Sequence, residues 1–129
     1  MSYTIKNLRE VEDMAAKHGF GEAQEARFPG RDLEAQSTGL GYLRVKPGKR
    51  QPFAHRHSDA EEVYVVISGG GRIKLDDEVV DVEAMDAIRI APSVGRAFEA
   101  GPDGLEVLAL GPRHKGDAEM MPIQDFWGD

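Results

Sequence analysis

The chain has no cysteine. It therefore carries no disulfide staple, an absence that fits a reducing compartment. It also lacks an excess of positive charge: 16 Lys and Arg face 23 Asp and Glu, for a net charge of −7. A nucleic-acid surface needs clustered Lys and Arg. The densest basic stretch, RVKPGKR at 44–50, reads as a solvated loop and strand rim rather than such a surface. No apolar run approaches the ~18 residues of a membrane span, and the first residues, MSYTIKNLRE, have no secretory apolar core. The expectation is a soluble, cytoplasmic protein with neither nucleic acid nor membrane as partner.

What is present fits one domain over 1–129. A helix is expected at about 7–18. Asn7 can cap it, Glu10 can complete the cap, and Leu8, Val11, Met14 and Ala15 recur at helical spacing before Gly19. His18 then faces the last carbonyls of that helix. Over about 27–112 the period changes to two. Strands are expected at 40–45, 63–67, 72–75, 79–82, 87–90, 96–100 and 105–110, divided by Gly- and Pro-rich turns. Many short strands at even spacing mean an all-β sandwich or barrel. The tail at 113–129 carries Ile123, Phe126 and Trp127, which should pack back on the barrel or on a second subunit. His114 reads as loop.

The chemistry concentrates in FAHRHSDAEEVYVVISGGG, residues 53–71. In a strand, residues two apart share a face, so His55 and His57 point one way and Arg56 the other. After the break at Ser58–Ala60, Glu62, Tyr64 and Val66 share a face, while Glu61 turns outward. If that strand folds back beside the first, Glu62 meets the imidazoles. Two imidazoles and one carboxylate form a facial triad with open positions, suited to iron, manganese, nickel or zinc. Gly69–Gly71 precede a strand, not a helix, so they read as a bulge or tight turn rather than a phosphate cradle. Asp76, Asp77 and Glu78 read as a solvated hairpin tip.

Gly48, His55, His57, Glu62 and Gly69 together resemble the first signature of the cupin superfamily: Gly, a gap, His-x-His, three or four residues, Glu, six residues, Gly. The resemblance covers roughly 35–112. It implies a double-stranded β-helix of jelly-roll type, a divalent-metal site, a small-molecule ligand and a homodimer. The second signature departs from the family. Met85, Ala91, Ser93 and Ala100 stand where Gly, Pro, Gly and Asn are usual, although Asp86, Pro92 and Phe98 keep the register. Arg96 falls where the last histidine ligand is expected.

A guanidinium cannot ligate a cation. Either His55, His57 and Glu62 keep the metal while Arg96 anchors an anionic substrate, or no metal binds and Arg96 pairs with Glu62. Gln51 precedes the histidines by an even step and can reach the pocket. Tyr64 can offer a hydroxyl, and Phe98 an apolar wall. Relatives of this kind include dioxygenases, sugar-phosphate isomerases and decarboxylases. The two functional expectations are a metal-dependent cupin converting a small anionic molecule, and a metal-free binding cupin without turnover.

Overall fold

The computed structural model describes residues 2–113 and 116–129; the loop expectation for His114 lies outside them. Eight strands follow in order: β1 (Gln24–Arg27), β2 (Thr38–Val45), β3 (Phe53–His57), β4 (Glu62–Leu75), β5 (Glu78–Glu83), β6 (Ala87–Ile90), β7 (Arg96–Pro112) and β8 (Ala118–Pro122). All belong to one antiparallel sheet that closes on itself, and β7 is its spine. It pairs with β2 along one edge, with β4 along the other, and with β3 at His55↔Arg96. Two helices flank the sheet, α1 (Met14–Lys17) and α2 (Ile123–Trp127). The expected all-β barrel is the observed one.

Two pairs of expected strands are in fact single bent strands. The SGGG stretch stays inside β4, and GPDG inside β7. Pairing jumps from Gly69↔Leu105 to Gly71↔Ala100, so residues 101–104 stand opposite Gly70 alone. The backbones come too close there for side chains. A Cβ on Gly69 would lie 2.0 Å from the Gly104 carbonyl oxygen, and one on Gly71 would lie 2.1 Å from that of Glu99. Glycine thus lets two long strands bulge past each other, which bends the sheet toward closure.

The expected helix at 7–18 is two short turns. Asn7 does cap one, a 3-10 turn over Leu8–Glu10. The chain then extends so that Val11 can bury its side chain, leaving 3% exposed. Asp13 caps α1, accepting from the amides of Ala15 and Ala16, and the same oxygen accepts from Ala26 of β1. A short acidic side chain serving two elements competes with continuous helix, and the tertiary bond decides. β1 and β8 were not expected. β8 adds the tail to β3 from Phe53↔Pro122 to His57↔Ala118.

Inward-facing residues of β2, β4 and β7 fill the interior. Val45, Val66, Ile73, Phe98 and Val107 have no exposed surface, each contributing roughly 1.5–3 kcal/mol by burial. Met85, where the family signature has glycine, holds φ at 80°. A side chain in that left-handed region costs about 1–2 kcal/mol, and here it points into solvent.

Candidate metal centre

β3 delivers both histidines to the interior, as its pleat requires. His55 and His57 stand edge to face, with ring centroids 5.0 Å apart, while Arg56 faces outward and pairs with Glu119 at 3.1 Å. Glu62 opens β4. It does not come from a neighbouring strand, as a simple fold-back requires: β4 pairs with β5, β6 and β7, never with β3. Glu62 reaches the histidines across the barrel interior. One potential ligand atom from each of His55, His57 and Glu62 lies within 4.8 Å of the others, and the three could hold a metal ion. Glu61 is exposed and pairs with Arg89 at 3.2 Å.

One carboxylate oxygen is the focus. Glu62 Oε1 lies 3.2 Å from His57 Nε2 and 3.5 Å from His55 Nε2. The Tyr64 hydroxyl donates to it at 3.0 Å, and Arg96 Nη1 stands 3.9 Å away. Burial pushes the Glu62 carboxyl up, but His55, His57 and Arg96 outweigh it and hold the carboxyl below its ordinary range. Burial, with the Glu62 charge beside it, pushes the Tyr64 hydroxyl well up, so it stays a donor.

A fourth residue escaped sequence reading. Asp117, in the loop before β8, holds His57 Nδ1 at 2.8 Å through Oδ1. Its Oδ2 accepts from the amides of Asp59 and Ala60 at 3.0 and 2.9 Å. Burial raises the Asp117 carboxyl, but His57 and the two amides together hold it far below the usual range. An ionised carboxylate only accepts, so Nδ1 carries the hydrogen and Nε2 is the atom presented to Glu62. A carboxylate behind a ligating imidazole fixes its tautomer and orientation. Sixty residues separate Asp117 from His57, and a lone Asp after Gly116 gives no periodic signal.

The other expected site residues fall into two groups. Tyr64 and Gln51 border the cavity beside the triad. Gln51 is held firmly there, accepting from the Phe98 amide at 2.9 Å and donating to Gln24 at 3.2 Å. Phe98 lies behind Tyr64, ring centroids 5.2 Å apart, and does not reach the cavity surface. Arg96, expected either to anchor an anionic substrate or to pair with Glu62, has no exposed surface and is not among the residues lining the cavity. Its Nη2 donates to the Ala91 carbonyl at 3.3 Å, while Nε and Nη1 have no hydrogen-bond partner. His18 caps α1 and also borders the cavity, at its rim.

The cavity has a volume of about 690 Å³ and runs from the triad to the surface between α1, β1, β3 and β8. Among the described residues no helix is long and apolar enough to cross a membrane.

The fold has many solved counterparts. A cupin protein from Bacteroides fragilis superposes with a TM-score of 0.71 at 22% identity, covering 90% of this chain and 91% of its own. The polyketide cyclase RemF from Streptomyces resistomycificus gives 0.73 at 18%, with 90% and 83% covered. Oxalate decarboxylase from Bacillus subtilis, a protein with Mn(II) centres, gives 0.74 at 18%; the match covers 88% of this chain but 31% of that one. At these identities the likeness establishes fold alone. No curated protein matches the sequence. The cupin-domain family model, however, matches residues 41–110, more than half of the chain and the stretch that carries the triad, and the chain belongs to the cupin family.

Proposed function

We propose that this cupin is a metal-dependent protein of the cytoplasm that binds or converts a small organic molecule, with a divalent transition ion (Fe, Mn, Ni or Zn) on His55, His57 and Glu62. One observation carries the reading. One potential ligand atom from each of His55, His57 and Glu62 lies within 4.8 Å of the others, and Asp117 on Nδ1 leaves His57 Nε2 as the nitrogen turned to the Glu62 oxygen, 3.2 Å away. Donor atoms converging on one point in this way suit a cation held among them. His55 Nε2, 3.5 Å from the same oxygen, supplies a third donor atom to such a cation. Two imidazoles and a carboxylate suit a borderline transition metal better than calcium or magnesium. When bound, the ion would supply Lewis-acid or redox chemistry at the positions the triad leaves open. The chain's own residues do the rest. Asp117 orients His57, Tyr64 keeps a hydroxyl on Glu62, and the barrel wall excludes water. Dioxygenase-, isomerase- and decarboxylase-like reactions are all compatible with that arrangement.

Elemental analysis of protein purified without chelator or affinity tag tests the proposal. Near-stoichiometric transition metal is expected in the parent and none in His57→Ala. A metal-free parent, or a variant with unchanged content, would overturn it.

A second reading has its own observation: Arg96 Nη1 lies 3.9 Å from Glu62 Oε1, and His57 doubly protonated would donate to the same oxygen. The cation is then a proton, and the pocket binds without a metal. Arg96→Met separates the two. If a metal sits on the triad, removing a nearby positive charge tightens it, by about tenfold in equilibrium dialysis. If Arg96 is the only fixed counter-charge of Glu62, the same change strands a buried carboxylate and costs about 3–5 kcal/mol of stability. We expect the first outcome.

The ligand was expected to be anionic because Arg96 was expected to touch it; Arg96 is fully buried, and the described residues lining the cavity include no guanidinium. The outer face of the sheet, with Ile67 and Leu110 exposed, is where a second copy would sit in the homodimer we propose. A monomer mass in sedimentation would remove that proposal.

A further inference from the structure

We infer that the cavity selects a largely apolar ring compound, a bicyclic or tricyclic hydroxyarene or a molecule of similar shape, rather than a small polar anion. The inference rests on the metal reading only for where the ligand's oxygen goes; the wall chemistry stands by itself.

The cavity is amphipathic from end to end. Apart from His18 at the rim and the two wall glutamines, its polar groups are those of the triad and Tyr64: His55, His57, Glu62 and Tyr64. The two glutamine amides on the wall are largely spent on each other and on the Phe98 amide. Ala26, Leu43 and Ala109 present aliphatic wall from β1, β2 and β7. Among the described residues no lysine or arginine lines this cavity, and Glu62 is the one carboxylate on its wall; Arg113 and Asp117 line the neighbouring recess on the far side of His57 and Glu62. A sugar phosphate or a dicarboxylate needs donors along its whole surface. This wall would strip its hydration and return few hydrogen bonds.

The mouth adds a second, independent observation. Phe28, Phe20 and Met120 line it while 53%, 39% and 58% exposed. Phe53 meets Phe20 edge to face, ring centroids 5.6 Å apart. The Phe28 ring lies flat enough over β2 that a Cβ on Gly41 would come within 3.1 Å of it. A glycine beneath an exposed ring leaves that ring room to lie along the entrance. Exposed aromatic and thioether side chains grouped around an opening are a surface for a ring system to slide past and stack on. The volume agrees. A cavity of about 690 Å³ falls among those that take drug-sized ligands, roughly 300–1,000 Å³. A two-carbon dianion would leave most of it as wetted apolar wall. In the proposed pose a hydroxyl or carbonyl oxygen at one end of the ring compound meets the triad and Tyr64, and the rings lie against Leu43 and the phenylalanines.

The test uses the whole protein, its metal content measured beforehand, and 2-naphthol as probe. Naphthol fluorescence should saturate with parent protein. Neither oxalate nor glucose 6-phosphate should displace it. Phe28→Asp and Met120→Glu alter exposed side chains and should fold normally, as melting curves will check. Each should weaken naphthol binding at least tenfold with metal content unchanged. Ile67→Ser, on the outer face of the sheet, should leave binding as it was. Displacement by either polar anion, no saturable naphthol binding, or parent-like affinity in both mouth variants would overturn the inference. A metal-free protein that still binds naphthol would sink the metal reading and keep this one. A metal-loaded protein that ignores naphthol would do the reverse.

Discussion

At the C-terminal tail and in the cavity, charged side chains converge on a barrel wall, yet the two clusters are built in opposite ways. Beside the tail, Arg50 gives Nε to Glu99 at 2.7 Å and its two terminal nitrogens to Asp129 at 2.9 and 2.5 Å. Arg72 gives two more bonds to Glu99 at 2.9 and 2.7 Å. The Arg50 guanidinium lies 4.2 Å from the Trp127 ring centroid, and that of Arg72 5.4 Å. The charged groups pair off with one another, although the buried Trp127 indole N–H has no hydrogen-bond partner, and the charge holds α2 in place. In the cavity, potential ligand atoms of His55, His57 and Glu62 converge within 4.8 Å of one another. The clasp is complete without a ligand, whereas convergent ligand atoms could hold a cation. Charge density alone does not distinguish a clasp from a site; whether the charged groups pair off or converge on one point does.

Perturbing each cluster should therefore have separable consequences. Trp127→Ala should have the largest effect on stability. It removes a ring that is 6% exposed and should cost about 3 kcal/mol, read by denaturant unfolding, with metal content unchanged. A loss of metal in that variant would mean the two regions are coupled. Asp117→Asn should act the other way. It keeps the loop's shape but removes the charge that sets the His57 tautomer, so metal affinity should fall about 10–100-fold while the melting temperature of the metal-free protein stays near that of the parent. Unchanged metal affinity would show that His57 needs no carboxylate behind it.

Glu99→Gln should be the mildest, about 1 kcal/mol, since the pairs are partly solvated. Burial raises the Glu99 carboxyl, but Arg50 and Arg72 outweigh it and hold it below its ordinary value of 4.5. Its folded pKa is thus the lower one. The stabilisation is present above about pH 4.5 and is lost as pH falls through the folded value. The parent–variant difference in unfolding free energy should accordingly be constant from pH 8 to 5 and shrink below that. A difference that grows in acid would refute the assignment.

Much of the site was legible because it depends on local rules. The alternation of a strand puts His55 and His57 on one face and Arg56 on the other, whatever the strand pairs with. The same parity separates Glu62 from Glu61. Turn chemistry located most strands, but not their continuity: Gly69–Gly71 read equally well as a turn and as a bulge, and only the backbone of β7 passing 2.0–2.1 Å from where a Cβ would be shows why glycine is there. The helix expected at 7–18 failed for a similar reason. Helical spacing was present, but Val11 and Asp13 had stronger partners on β1. Asp117 was invisible because a contact spanning 60 positions leaves no periodic trace.

By itself the sequence determined the all-β architecture and the residue types facing inward at 55, 57 and 62, because pleat and turn preferences act over a few residues. Tertiary structure alone decided the rest. It brought Glu62 across the barrel instead of alongside β3, sealed Arg96 away from the cavity, set Asp117 behind His57, and gathered phenylalanines from separate segments around one opening. Each of these depends on distances between chain segments remote in sequence, which the closure of the sheet sets and no local preference encodes.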